Sequence, residues 1–384
     1  MDSHWIASST NATATIGESF LLPGAYEDPT AYIGWGYPAV FRLPAGGYRA
    51  LFEGWANKSF HGTRMVLAAD STDGVVFHPL NVSREPPAKW PPSFSYNCSL
   101  CPLHKCSKTC GSSGPPFWPS NAVLGPIAGF SFAFDDAPFG VPAAQRLKGL
   151  MKEGASVYSS PDGLTWDTRF AQWSARNVDP GFAVFRNPLN TSEVVVTARP
   201  QGMRASGGGR HAGFNAGLGW QGLKVGGLAG EPPGGLLNQA LPLDLLYADD
   251  VQSYGLPSFS YGDMVVSWWW RLRDGNCSTT MPLTPGMDVP SCGTVSAALA
   301  YSYNSRNWSA FGQTEACTSR WAKDGVAELF PNVPGRRDAM QTYPNTLLEV
   351  DGRLLVHASA ATHVHGFVAP GASSMLTYEL RLDG

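Results

Sequence analysis

The stretch Tyr158-Ser-Ser-Pro-Asp-Gly-Leu-Thr-Trp166 decides the fold. It has the form S-x-D-G-x-x-W and reads as a tight turn between two strands. The Asp side chain accepts from backbone N–H groups of the turn. The Gly takes a positive φ at no steric cost, and the Trp buries a large apolar area against a neighbouring layer. The pattern recurs. Met65-Val-Leu-Ala-Ala-Asp-Ser71 runs into Asp73-Gly74-Val-Val-Phe77, with Phe in place of Trp. Ala300-Tyr-Ser-Tyr-Asn-Ser-Arg-Asn-Trp308 is a third copy, with Asn304 in the turn. Phe214-Asn-Ala-Gly-Leu-Gly-Trp220 is a weaker fourth, and Tyr378-Glu-Leu-Arg-Leu-Asp-Gly384 reads as a fifth cut short.

Working outward, a strand, a turn and a second strand precede each copy. Tyr37-Pro-Ala-Val-Phe41 is followed by Gly46-Gly-Tyr-Arg-Ala-Leu-Phe52, and Phe182-Ala-Val-Phe185 by Glu193-Val-Val-Val-Thr197. Leu256-Pro-Ser-Phe259 leads to Met264-Val-Val-Ser-Trp268, and Tyr343-Pro-Asn-Thr-Leu-Leu348 to Arg353-Leu-Leu-Val356. The N-P and D-G turns between them are hairpin signals. Each unit is then four antiparallel strands, the content of one propeller blade. The expectation is an all-β, five-bladed β-propeller with long loop insertions. Residues 1–31 read as an N-terminal extension and 32–384 as the propeller, with a Cys- and Pro-rich insert at about 80–119.

Composition agrees with this and excludes other classes. The 43 Gly and 31 Pro of 384 residues break helix interiors, which rules out a helical bundle. Hydrophobic content of 43% excludes disorder for most of the chain. A net charge of -3 supplies no basic field for nucleic acid. No 18-residue apolar stretch is present to span a membrane.

The compartment is read from sequons and cysteines. Seven N-x-[ST] sites, at Asn11, Asn57, Asn81, Asn97, Asn190, Asn276 and Asn307, stand against about two expected by chance, which points to a secreted or extracellular glycoprotein. The first twenty residues have neither a basic nor an apolar leader region, so the sequence is a piece of a longer chain or is exported by another route. Cys98, Cys101, Cys106 and Cys110 do not repeat a C-x2-C pair, and in this company they read as local disulfides before a zinc site. With seven cysteines, one is free or paired outside the chain.

Three segments carry a family resemblance: Pro38-Ala-Val-Phe with Tyr48-Arg-Ala-Leu-Phe-Glu-Gly54; Arg146-Leu-Lys-Gly-Leu150 followed by 159–166; and Leu380-Arg-Leu-Asp-Gly384. They resemble the five-bladed propellers of the glycoside-hydrolase type, the invertase-like, arabinanase-like and mannoside-phosphorylase-like enzymes. The resemblance implies three carboxylates on the innermost strands, around a central funnel. Arg176-Asn-Val-Asp-Pro180 resembles the middle R-D-P-like element, which puts Asp179 in the funnel. Asp250 of blade four and Asp136 of blade two are the partner acids it offers, with Arg199 and Trp35 to hold substrate. Gly34-Trp35-Gly36, just before blade one's first strand, holds no carboxylate. The alternative for each Asp is a cap on a turn or strand end.

Two further clusters have plainer readings. Trp268-Trp-Trp270 reads as blade packing before a sugar platform, because alternate residues of a strand face opposite sides. His363 and His365 read as funnel or surface histidines, since no third metal ligand accompanies them. The functional expectation is a secreted carbohydrate-active propeller, a glycoside hydrolase acting on an oligo- or polysaccharide through funnel carboxylates. The alternative is a non-catalytic propeller that binds glycans or proteins. No metal, no cofactor and no oligomer is expected.

Overall fold

A computed structural model describes residues 13–15, 37–55, 64–82, 122–127, 130–151, 156–172, 178–200, 213–218, 251–274, 293–305, 308–310, 328–365 and 373–380. They form an all-β structure, with two single-turn 3-10 helices at Ala137–Phe139 and Ala143–Gln145. β1 (Thr13–Thr15) comes first in chain order. The first sheet holds β2 (Ala39–Arg42), β3 (Tyr48–Trp55), β4 (Arg64–Ser71) and β5 (His78–Pro79), with β6 (Ala122–Ile127) also on β4. The second runs β7 (Phe130–Asp135), β8 (Leu147–Met151), β9 (Ser156–Ser160), β10 (Asp167–Gln172). The third is β11 (Val178–Asn187), β12 (Asn190–Pro200), β13 (Gly213–Leu218).

The remaining strands share one ten-stranded sheet. Its first antiparallel run contains β14 (Val251–Gly255), β15 (Ser258–Tyr261), β16 (Met264–Asp274), β17 (Gly293–Ser302), β18 (Ser309–Ala310) and β19 (Glu328–Phe330). Its second contains β20 (Gln341–Val350), β21 (Arg353–Ala361) and β22 (Ser373–Leu380). A single parallel bridge, Val295 to Gln341, joins the two. β1 pairs antiparallel with β22, Thr13 opposite Glu379, so part of the segment read as an extension is an edge strand of the last run.

Middle strands are buried on both faces, which explains their composition. Val66, Leu67, Ala68 and Ala69 of β4 are all buried, and so are Trp268, Trp269 and Trp270 of β16. A strand covered on both sides reads as a continuous apolar run and does not alternate. Trp269 packs with Phe185 and Val195 of the third sheet, while Trp268 and Trp270 pack with Tyr343, Val356 and Tyr378 of the last run. Small residues face the large ones: Ala298 and Ala300 lie in the Trp269 cluster, and Ala297 with Trp268 and Trp270. The tryptophan run is packing, as its alternation implied.

The S-x-D-G turns make the contacts their chemistry predicts, and one more. Asp162 Oδ1 accepts from the N–H groups of Leu164 (2.8 Å) and Thr165 (3.0 Å). Ser160 Oγ accepts from those of Asp162 (3.3 Å) and Gly163 (2.8 Å). The leading Ser therefore shares the capping with the Asp. Ser71 and Asp73 repeat the arrangement. In the third copy Ser305 takes the left-handed conformation (φ 63°) where the others have Gly.

Each turn also packs on a neighbouring sheet. Gly163 has φ +79°, and a Cβ there would lie 3.0 Å from Phe41 Cζ and 3.2 Å from a Leu51 methyl of the first sheet. Gly163→Ala should therefore lower unfolding stability by more than the roughly 1–2 kcal/mol of left-handed backbone strain. Gly46→Ala is the control: φ is +95° and the space is open. Urea denaturation showing equal losses for the two would remove the packing argument.

The first sheet also packs against the last run. Val40, Tyr48 and Phe77 share a core with Val350, Leu355 and Met375. Asn345 Nδ2 and Thr346 Oγ1 donate to the Pro38 carbonyl at 2.9 and 2.8 Å. His357 bonds through Nε2 to the Gly74 carbonyl at 2.7 Å, against the Phe77 ring, and its Nδ1 is buried without a partner. Burial lowers the His357 pKa from 6.5 to about 4, against the opposing pull of the Gly74 carbonyl. The folded protein thus keeps this ring neutral where an unfolded chain would take up a proton. Its contribution is complete above pH 6.5 and is lost as pH falls toward about 4, a loss of about 3 kcal/mol by linkage. Denaturant midpoints at pH 7 and pH 4.5 should show this, and His357→Gln should narrow the gap.

Candidate functional site

The first strand of a sheet begins, and the second ends, at one end of the molecule, called here the upper end. Lower ends meet lower ends: Arg146 of the second sheet donates to the Arg42 carbonyl of the first, and Ser260 of β15 to the Arg186 carbonyl of β11. The upper halves of the first strands converge on aromatic side chains. Tyr37 stacks on Trp270 with ring centroids 5.3 Å apart and meets Tyr343 edge-on at 5.7 Å. Tyr254 closes the group at 5.6 Å from Tyr343, and Ala183 of β11 lies in the same cluster. Tyr37 has φ +29°, an uncommon value for a bulky residue and one held by this stacking. Offset stacks and edge contacts are the favoured aromatic geometries, so the cluster is a firm floor.

Around that floor stand the polar groups. Asp179 is the second residue of β11 and lies directly opposite Arg199 of β12, at the upper end of the third sheet. Glu53 lies near the upper end of β3 and is only 2% exposed. Its signal in the sequence was the F-E-G ending of Tyr48–Gly54's apolar run, a carboxylate where alternation leads into the sheet interior. Sequence reasoning looked for it on the first strand and missed it on the second. His365 Nε2 lies 2.9 Å from the Tyr254 hydroxyl, and both His363 and His365 are buried. Among the described residues no group of three His, Cys, Asp or Glu side chains could hold a metal ion.

Asp136 belongs elsewhere. It follows the last residue of β7, at the lower end, and is 0% exposed. Arg186 holds both its oxygens, Nε to Oδ1 and Nη2 to Oδ2, each at 2.9 Å, and Lys148 Nζ lies 3.4 Å away. Arg186 is seven residues beyond Asp179 in β11, so about 20 Å of strand separates the two carboxylates. Paired glycosidase acids stand about 5–9.5 Å apart. The structure does not bring Asp136 to Asp179, because the first carries the lower end of its strand and the second the upper. The neighbouring Asp135 pairs with Arg146, so the Asp135-Asp136 doublet answers the two cations of Arg146-Leu-Lys148.

No family model matches the chain, and no curated protein does. Solved structures share its general form at low identity. A complex of BT0996 with an RGII fragment is 12% identical, with a TM-score of 0.49, and the match covers 97% of this protein and 93% of that one. A GH130 structure, from work on mannoside phosphorylases and on hydrolases that target β-1,2 mannosidic linkages in Candida mannan, is 8% identical, with a TM-score of 0.49, covering 97% and 94%. The GH93 α-L-arabinofuranosidase of Fusarium graminearum with arabinobiose is 11% identical, with a TM-score of 0.42, covering 97% and 98%.

Asp250 and Trp35 lie outside the described residues, as do all seven cysteines. Of the sequons, Asn81 and Asn190 are described, and both are exposed.

Proposed function

We propose that the chain is a five-bladed β-propeller that acts on a glycan, cleaving a glycosidic bond at its upper end. The contacts of the first sheet with the last run support a ring of five units. The observation that carries the functional reading is the placement of Asp179 opposite Arg199, at the same end as buried Glu53 and the aromatic floor. Carboxyl groups flanking a sugar supply an acid for the leaving oxygen and a charge that favours an oxocarbenium-like transition state. In this reading Glu53 takes the base position of the first unit, from its second strand. Asp179 takes the middle position and Asp250 the acid of the next unit. Aromatic faces beneath suit the apolar faces of sugar rings.

A second reading, a glycan binder without turnover, is favoured by Tyr37, which stands where a carboxylate would open the first strand. Incubation with a panel of plant and microbial polysaccharides separates the two. New reducing ends, absent with Asp179→Asn, support cleavage; retention on an insoluble glycan without new ends supports binding alone. Neither result with any glycan would overturn both.

A further inference from the structure

The upper end of β16 carries a cationic group that the proposed cleavage does not use. Trp269, Arg271 and Arg273 alternate along one face of the strand, and Trp269 turns that face toward the third sheet. Arg271 lies over the Trp269 ring at 5.3 Å and is buried. Both guanidiniums reach a single oxygen, Glu328 Oε1, Arg273 at 2.9 Å and Arg271 at 3.5 Å, and Ser296 donates to the same oxygen at 2.7 Å. Arg273 remains 39% exposed, while its Nε–H is buried with no acceptor. An unmet donor of this kind is destabilising until an acceptor arrives. Arg199, at the same end of the neighbouring sheet, stands opposite Asp179.

We infer that this end of the third and fourth units binds the carboxylate of an acidic sugar, with Arg273 as its principal contact. The inference rests on the carbohydrate reading and names its substrate class as uronate-containing glycans. A guanidinium presents its N–H groups as a planar fork that matches a carboxylate. Charge selects the same ligand. Glu328 divides its one negative charge between two guanidiniums, so Arg273 is only partly neutralised and has room for a single further charge. A phosphate dianion would place surplus negative charge beside Glu328.

The test is calorimetric titration of the full chain with oligogalacturonate and oligoglucuronate, each beside its carboxyl-reduced, neutral counterpart. At least one acidic form should bind about tenfold tighter than its reduced partner, as one charge-assisted fork provides, with the preference fading as salt rises. Arg273→Gln should erase that preference and leave neutral binding and thermal unfolding unchanged. Arg273→Lys, which keeps the charge and loses the fork, should weaken it. Equal binding of acidic and reduced forms would overturn the uronate site and leave the carbohydrate reading standing. Tighter binding of inorganic phosphate than of either uronate would overturn the carboxylate assignment. Binding of neither acidic nor reduced glycan would overturn both inferences.

Discussion

Asp179→Asn should lower glycan cleavage by about 10²–10⁴-fold while the fold survives, because a positioned carboxyl contributes a factor of that size. The change preserves shape and removes a charge. Asp179 lies in register with Arg199, so its loss also strips a counter-charge from the upper end of the third sheet. Glu53→Gln should act on the same step, and the double variant should cost little more than the worse single one, since groups that act as a unit are not additive. In a binder without turnover, Asp179→Asn should instead weaken glycan affinity by only about 1–3 kcal/mol. Unchanged cleavage and unchanged affinity in a well-folded variant would falsify the assignment of Asp179 in both versions.

Asp136→Ala should destabilise the fold by about 3–5 kcal/mol, because it leaves Lys148 and Arg186 buried without their anion. Burial already holds the Lys148 ammonium below the usual lysine range, with Asp136 pulling it back up. The triad seals the joint between the second and third sheets at the lower end. Lys148 also donates to the Gln145 carbonyl and lies over the Phe170 ring at 4.9 Å, while Arg186 lies over Phe139 at 5.6 Å. Replacing Asp136, Lys148 and Arg186 together by apolar residues of similar volume should recover much of the loss, because desolvation offsets much of what a buried ion group gains. Urea denaturation measures both variants, and a loss under about 1 kcal/mol for Asp136→Ala would show that the triad is not structurally required.

Local chemistry made the strands and turns legible. Asp162, Gly163 and Trp166 announce their turn because a side-chain acceptor, a positive φ and a large apolar ring act within nine residues of one another. The alternation through Trp268, Trp269 and Trp270 told which faces they cover, since a strand's side chains must point to opposite sides. The R-N-V-D-P segment around Asp179 likewise marked a first strand, and β11 begins there.

What the sequence could not show was which strand end each acid occupies. Asp136 and Asp179 look alike in the sequence, each beside a first strand. Only the tertiary structure puts one at the closed lower joint with Arg186 and the other at the upper end opposite Arg199. Glu53 was hidden for a related reason: its burial depends on Tyr37 and the sheets around it, which no local pattern encodes. Turn chemistry is decided within a few residues of chain, so the sequence by itself determined the all-β class and the repeated hairpins. The pairing of β1 with β22, the Lys148–Asp136–Arg186 triad and the company of Glu53 join groups distant in the chain, and only packing in three dimensions decides them.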